Sequence, residues 1–327
     1  MIFSRHLLSL GGLLSFSVGA QAAYSLLDSY DSTNFFEGFE FFNSPDPTNG
    51  FVKYHTAMEA DTSLLAGYAN NAIYLAVDSE TMNPAGGRGS VRVNSKKSYT
   101  KGLIVADIAH QPSAQCGSWP AFWTVGGANW PYNGEIDIIE GVNLATNTTY
   151  TLHTGPGCSF SQGNCNAPGT GTTGCGESSG DTKTLADGFN EIGGGVYALE
   201  WTSQAINIFF FPRTAKIPDD IATGQPDPTT WGPPAATFSG SGCNIDDHFK
   251  EHQIVFDTTL CGDWAGKVFA SDATCAAKAA TCQEYVAKNP AAFKDSYWLI
   301  NFVKVFQEGA STNTTRRDAS VPKRFIA

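Results

Sequence analysis

Residues 134–141 read Gly-Glu-Ile-Asp-Ile-Ile-Glu-Gly. In an extended strand, alternate side chains lie on one face. Glu135 and Asp137 therefore share a face, and Ile136 and Ile138 point the other way. Strict alternation would put Ile139 beside the acids and Glu140 in the core, where a lone carboxylate is costly. One extra residue near Ile138 and Ile139, a β-bulge, removes both faults by returning Glu140 to the face of Glu135 and Asp137. The stretch predicts a bulged strand with an apolar inner face and three carboxylates on its outer face.

Outward from this strand, the chain repeats one pattern. Runs rich in β-branched and aromatic residues occur at 72–78, 90–95, 102–110, 121–125, 135–142, 148–154, 196–202, 206–211, 252–257 and 297–307. Clusters of Gly, Pro, Asn and Asp separate them, as at 45–50. These are strand and turn signals, with no regular strand-then-helix alternation. In the last run Val303 and Val305 oppose Phe302, Lys304 and Phe306, as suits a late strand closing a sheet. Residues 272–288 are Ala-rich, open on Asp272 and stop before Asn289-Pro290, which predicts a single helix. The economical fold is one all-β domain of antiparallel strands over residues 23–308.

Composition excludes other classes. The 327 residues carry 20 Lys+Arg against 31 Asp+Glu, a net charge of -11, with 22 Phe, 11 Tyr and 7 Trp. That is too aromatic and too weakly charged for a disordered chain. The acidic balance repels phosphate, so no nucleic-acid partner is expected. Arg5 and His6, the apolar stretch 7–20 and Ala20-Gln21-Ala22 predict a cleaved export signal at 1–22. The competing reading, a membrane anchor, fails on length, since a span needs about 20 apolar residues. No later segment reads as membrane-spanning, and residues 309–327 read as a polar, disordered tail.

Export governs how the eight cysteines are read. Cys116, Cys158, Cys165, Cys175, Cys243, Cys261, Cys275 and Cys282 form an even set, consistent with up to four disulfides. On one straight helix Cys275 and Cys282 would stand about 10 Å apart, too far to bridge. Either that helix breaks or each finds another partner, with Cys243 and Cys261 as candidates. A zinc site of His153 with the Cys158 cluster is the competing idea. The sequons at Asn147 and Asn313 are candidate glycan acceptors in an exported chain.

Three acids on one strand have two readings, an exposed acidic strand or a catalytic one. Like charges side by side are destabilising, so their clustering calls for a reason. Trp119, Phe122, Trp123, Trp130 and Tyr132 lie just upstream. Paired carboxylates beside aromatic platforms are what glycoside hydrolysis requires, one acid attacking or stabilising C1 and the other protonating the leaving oxygen. Trp119 and Trp123 fit core packing or a sugar platform equally well. His153 and Arg92 likewise each have a structural alternative.

The motifs CGSWPAFW at 116–123, WPYNGEIDIIEGVN at 130–143, TLHTG at 151–155 and CGDWAG at 261–266 resemble glycoside hydrolase family 16. The likeness is greatest to its fungal endo-1,3(4)-β-glucanases of the laminarinase type, and it covers nearly the whole chain after the leader. It implies a concanavalin-like β-jelly-roll sandwich of two antiparallel sheets, with a sugar-binding cleft on the concave sheet. It implies a retaining mechanism with Glu135 as nucleophile, Glu140 as general acid/base and Asp137 tuning Glu135. His153 would lie near Glu140 on the leaving-group side. Trp123, Trp130 and Trp264 would line sugar subsites, with Trp119 and Arg92 as further candidates.

The expected function is therefore a secreted, monomeric endo-β-glucanase acting on β-1,3 and mixed β-1,3/1,4 glucans. It would use neither metal nor organic cofactor, since two carboxyls suffice for the chemistry. Two alternatives share the fold. A transglycosylase would capture the same intermediate with a sugar hydroxyl. A noncatalytic β-glucan lectin would dispense with the acids, and the three intact acids speak against it.

Overall fold

The computed structural model describes residues 24–127, 129–167 and 174–309. The leader and its cleavage point, the tail beyond residue 309 and the Asn313 sequon lie outside the described residues. Two large antiparallel sheets dominate the described residues. The eight-stranded sheet runs in the order Ala236–Ser239, Ala205–Pro212, Gly195–Trp201, Gly102–His110, Tyr297–Glu308, Ala72–Ala76 and Ala66–Ala69. Tyr24–Asp31 completes it by pairing with the far half of Tyr297–Glu308. The seven-stranded sheet runs Cys175–Ser178, Thr149–His153, Glu135–Glu140, Ser118–Gly126, His252–Leu260, Arg92–Ser95 and Phe39–Phe41. All ten runs read from the sequence as strands appear. The five additional strands of these sheets are short or lie at edges.

The inner faces of the two sheets meet in one core. Ile136, Ile138 and Ile139 from one sheet and Ile104, Ile108, Val303 and Val305 from the other belong to it. Each of the three isoleucines of the acidic strand is fully buried. Burial of such a side chain contributes roughly 1.5–3 kcal/mol. The outer face of the eight-stranded sheet is covered by a second apolar layer. There Leu103, Val105, Phe209, Phe211 and Phe306 pack with Ile221, and Trp231 lies against them. The open face of the seven-stranded sheet carries the polar residues of interest.

The single helix expected over 272–288 is a correction. Two short helices, Ala273–Ala276 and Cys282–Lys288, stand in its place. Each has its own cap: Asp272 accepts from the amides of Thr274 and Cys275, and Thr281 accepts from that of Glu284. Disulfides draw the two apart, since Cys275 bonds to Cys116 and Cys282 to Cys261. The remaining bridges are Cys158–Cys243 and Cys165–Cys175. All eight cysteines are therefore oxidised, which removes the thiolates that the zinc reading needed. Among the described residues no helix is long and apolar enough to cross a membrane.

Candidate active site

The register of the acidic strand contains the bulge. Asp137 pairs with Trp123 and Ile139 with the next residue, Phe122, so Ile138 is the extra residue. Glu140 then pairs with Ala121. Cross-strand partners share a face, which returns Glu140 to the side of Glu135 and Asp137 while both isoleucines stay in the core. Gly134 opens the strand at φ +83°, and a side-chain carbon there would meet the His248 carbonyl at 2.6 Å. That close approach is why glycine precedes Glu135.

Each glutamate lies under an indole. Trp130 donates its Nε1–H to Glu135 at 2.8 Å, and Trp119 donates its own to Glu140 at 2.8 Å. On the neighbouring strand His153 pairs with Glu135 in register, which sets it beside Glu135 and Asp137 and not at the Glu140 end expected from the resemblance. Its Nε2 stands 3.4 Å from Asp137 and 3.8 Å from Glu135. Burial pushes the Glu135 carboxyl up to about 7, and the charge of Asp137 adds to it. The same two causes, burial first, hold the Glu140 carboxyl well above the usual carboxylate range. Burial lowers the proton affinity of His153, but its bond to Asp137 and the charges of Glu135, Asp137 and Glu140 outweigh that and raise it to about 9. His153 is then an imidazolium at neutral pH, set among carboxylates.

Glu135, Asp137 and His153 bring ligand-type atoms within 4.8 Å of one another, a spacing that a cation could bridge. A cation bound there would displace the proton that His153 carries between the two acids.

The aromatic residues divide by strand. Trp119 and Trp123 project from Ser118–Gly126 on the face of the acids, since Trp123 pairs with Asp137. Trp264, on the helical turn Gly262–Gly266, meets Trp119 edge-to-face at 5.7 Å. Arg92 is buried with its guanidinium 4.8 Å from the Trp123 ring and 4.3 Å from the Phe42 ring, so it braces the platform. Every candidate named from the sequence on this sheet lies on its open face. Asn147 sits in the loop after Glu140, half-buried, with its side-chain amide donating to the Ser179 carbonyl.

Sequence reasoning missed Asp257. It is buried on the same face, accepting from the Trp123 indole at 3.2 Å and the Tyr54 hydroxyl at 3.0 Å. Burial pushes its carboxyl up to about 6. The available signal was an acid in the middle of the apolar run HQIVFDTTL.

Comparison with known proteins bears on this geometry. Residues 39–306 match the family described as XgeA-like, catalytic GH16 domain. The chain belongs to glycoside hydrolase family 16. An endo-1,3(4)-β-glucanase of Arthroderma benhamiae is 44% identical over 319 residues, covering 93% of this chain and 69% of that one. A probable endo-1,3(4)-β-glucanase of Aspergillus fumigatus is also 44% identical, over 94% of this chain and 50% of its own. This GH16 chain thus spans about half the length of the Aspergillus relative. Among solved structures, laminarinase 16A of Phanerochaete chrysosporium, with two β-glucans in its donor and acceptor sites, is 37% identical at a TM-score of 0.83. It covers 88% of this chain and 100% of that one. An elongating GH family 16 β-1,3-glucosyltransferase is 39% identical at a TM-score of 0.80, over 87% of this chain and 100% of its own. The two-sheet sandwich is the GH16 jelly roll.

Proposed function

We propose that this GH16 chain is an exported retaining endo-β-glucanase acting on β-1,3 and mixed β-1,3/1,4 glucans such as laminarin. Glu135 is its nucleophile and Glu140 its general acid/base. The observation that carries the reading is the bulged register, which sets two glutamates on one open strand face with Asp137 between them and an indole N–H on each. The names of the Arthroderma relative and of the Phanerochaete laminarinase support the substrate class.

The chemistry runs in two displacements. Glu140, kept protonated by burial and by Asp137, gives its proton to the glycosidic oxygen as the Glu135 carboxylate attacks C1. The bond from C1 to the leaving oxygen breaks. Water then attacks C1, its proton passes to Glu140, and the bond from C1 to Glu135 breaks with the electron pair returning to the carboxylate. His153, as the imidazolium beside Glu135 and Asp137, favours the ionised nucleophile. Asp137, between the glutamates, raises the proton affinity of both. Trp123, Trp130, Trp119 and Trp264 offer faces for sugar rings, and Arg92 steadies Trp123. The leader at 1–22, the four disulfides and the glycan acceptors Asn147 and Asn313 suit an exported monomer.

The glucosyltransferase relative favours a second activity, transfer of the glycosyl group to a sugar hydroxyl in place of water. The test of the main reading is reducing-sugar release from laminarin, with proton NMR of the first product. Release of the β anomer is expected. Early α anomer would overturn the nucleophile, and laminarin binding without release would favour the lectin.

A further inference from the structure

Tyr132 is 57% exposed, and Trp130, two residues before it, is 38% exposed. Large apolar rings left open beside a polar site call for an explanation. The turn bearing them is fixed by backbone bonds from Tyr132 to Asn129 and from Gly134 to Pro131. The seat of the Tyr132 ring is Gly155. Thr151 and His153 pair with Asp137 and Glu135, so both face the open side, and Gly155 follows two residues later in the bend that ends the strand. A side-chain carbon at 155 would come within 2.7 Å of the Tyr132 ring. Glycine leaves the room that the ring fills, two residues beyond His153. The Trp130 ring stands 6.4 Å from that of His153 at the same end.

The sheet is unequal about the acidic strand. Four strands lie on the Trp123 side and two on the His153 side. A glucan crossing Glu135–Glu140 gains most of its contact on the longer side, which would hold the covalently attached portion. The shorter side would release and exchange its occupant.

We propose that Tyr132, seated on Gly155, is the stacking platform of an acceptor subsite. It grips a β-linked glucose unit of the departing chain and of any carbohydrate acceptor that competes with water. The proposal rests on the retaining reading above. In the transfer step an acceptor hydroxyl oxygen attacks C1 of the glycosyl-enzyme and gives its proton to Glu140. The bond from C1 to Glu135 breaks, and the electron pair returns to the carboxylate.

The test supplies the full chain with an aryl β-laminaribioside as donor and laminaribiose as acceptor, and measures the ratio of transfer product to hydrolysis product. This ratio does not depend on how much of a variant is folded. Tyr132→Ala should lower it about tenfold, the upper range for an aromatic stacking contact. Tyr132→Phe should hold it within about twofold, and Gly155→Ala, which unseats the ring, should lower it as Tyr132→Ala does. An unchanged ratio in Tyr132→Ala would overturn the platform, and so would a wild type that hydrolyses the donor to the β anomer without any transfer. A drop in Tyr132→Phe equal to that in Tyr132→Ala would assign the effect to the phenol hydroxyl and overturn stacking. A wild type that releases the α anomer from the donor would instead overturn the retaining reading, and the platform with it.

Discussion

The indole N–H of Trp119 reaches the carboxylate of Glu140 at 2.8 Å, from a strand position that faces Glu140 only because Ile138 is bulged. Trp130 makes the equivalent bond to Glu135. A donor to a carboxylate stabilises its ionised form, so each indole lowers the proton affinity of its glutamate. Trp119→Phe should move the alkaline limb of kcat/KM upward in pH, and Trp130→Phe should move the acid limb upward. Each should cost about tenfold at the optimum, the weight of one hydrogen bond to a charged group. Full pH–rate profiles of both variants check this.

His153 supplies the next expectation. With Glu135 as the proposed nucleophile and Glu140 as the proposed acid, activity should rise as Glu135 loses its proton near pH 7 and fall as Glu140 loses its own at higher pH. The charge on His153 lowers the proton affinity of Glu135. His153→Gln should therefore shift the acid limb upward by roughly half to one pH unit. An unshifted limb would leave His153 a purely structural role.

The same perturbation sets a stability cost. A carboxyl whose folded pKa is raised costs no stability below its unfolded pKa, where both states are protonated. It costs progressively more as pH rises from there to about 7, and a constant amount above. Glu135→Gln should unfold with the wild type at pH 4 and later than it at pH 8. The expected gain is on the order of 3 kcal/mol, readable as a rise in Tm of several degrees.

Much of this was written locally in the chain. The bulge was legible because an apolar residue and an acid exchange places after Ile138, and only one inserted residue restores both faces. The long central strands were legible from β-branched runs between turn residues. Edge strands were not: Tyr24–Asp31 leaves Leu26 and Leu27 half exposed, and Ala66–Ala69 has little apolar weight. The helix over 272–288 failed because its two cysteines are tied to different partners, Cys261 nearby and Cys116 far away in sequence, and the chain alone did not say which bridge forms. Asp257 was hidden for a related reason, since its bond to Trp123 exists only once two strands are paired in register.

The bulge itself can be removed. Deleting one isoleucine leaves EIDIE, with all three acids on one face by simple alternation. Neighbouring strands are built to the bulged register, so the variant should fold yet lose most of its activity on laminarin. Circular dichroism with a reducing-sugar assay separates the outcomes. Loss of folding would assign the extra residue to packing more than to site geometry.

The division of labour between Glu135 and Glu140 is tested most directly by azide trapping. With an aryl β-laminaribioside, Glu140→Ala should still form the covalent intermediate, because the leaving group needs no proton. Deglycosylation should stall, and azide, which needs no general base, should release a β-glycosyl azide. Glu135→Ala should lose retaining turnover and give only the α-azide. A β-azide from Glu135→Ala and none from Glu140→Ala would reverse the two roles and contradict the account.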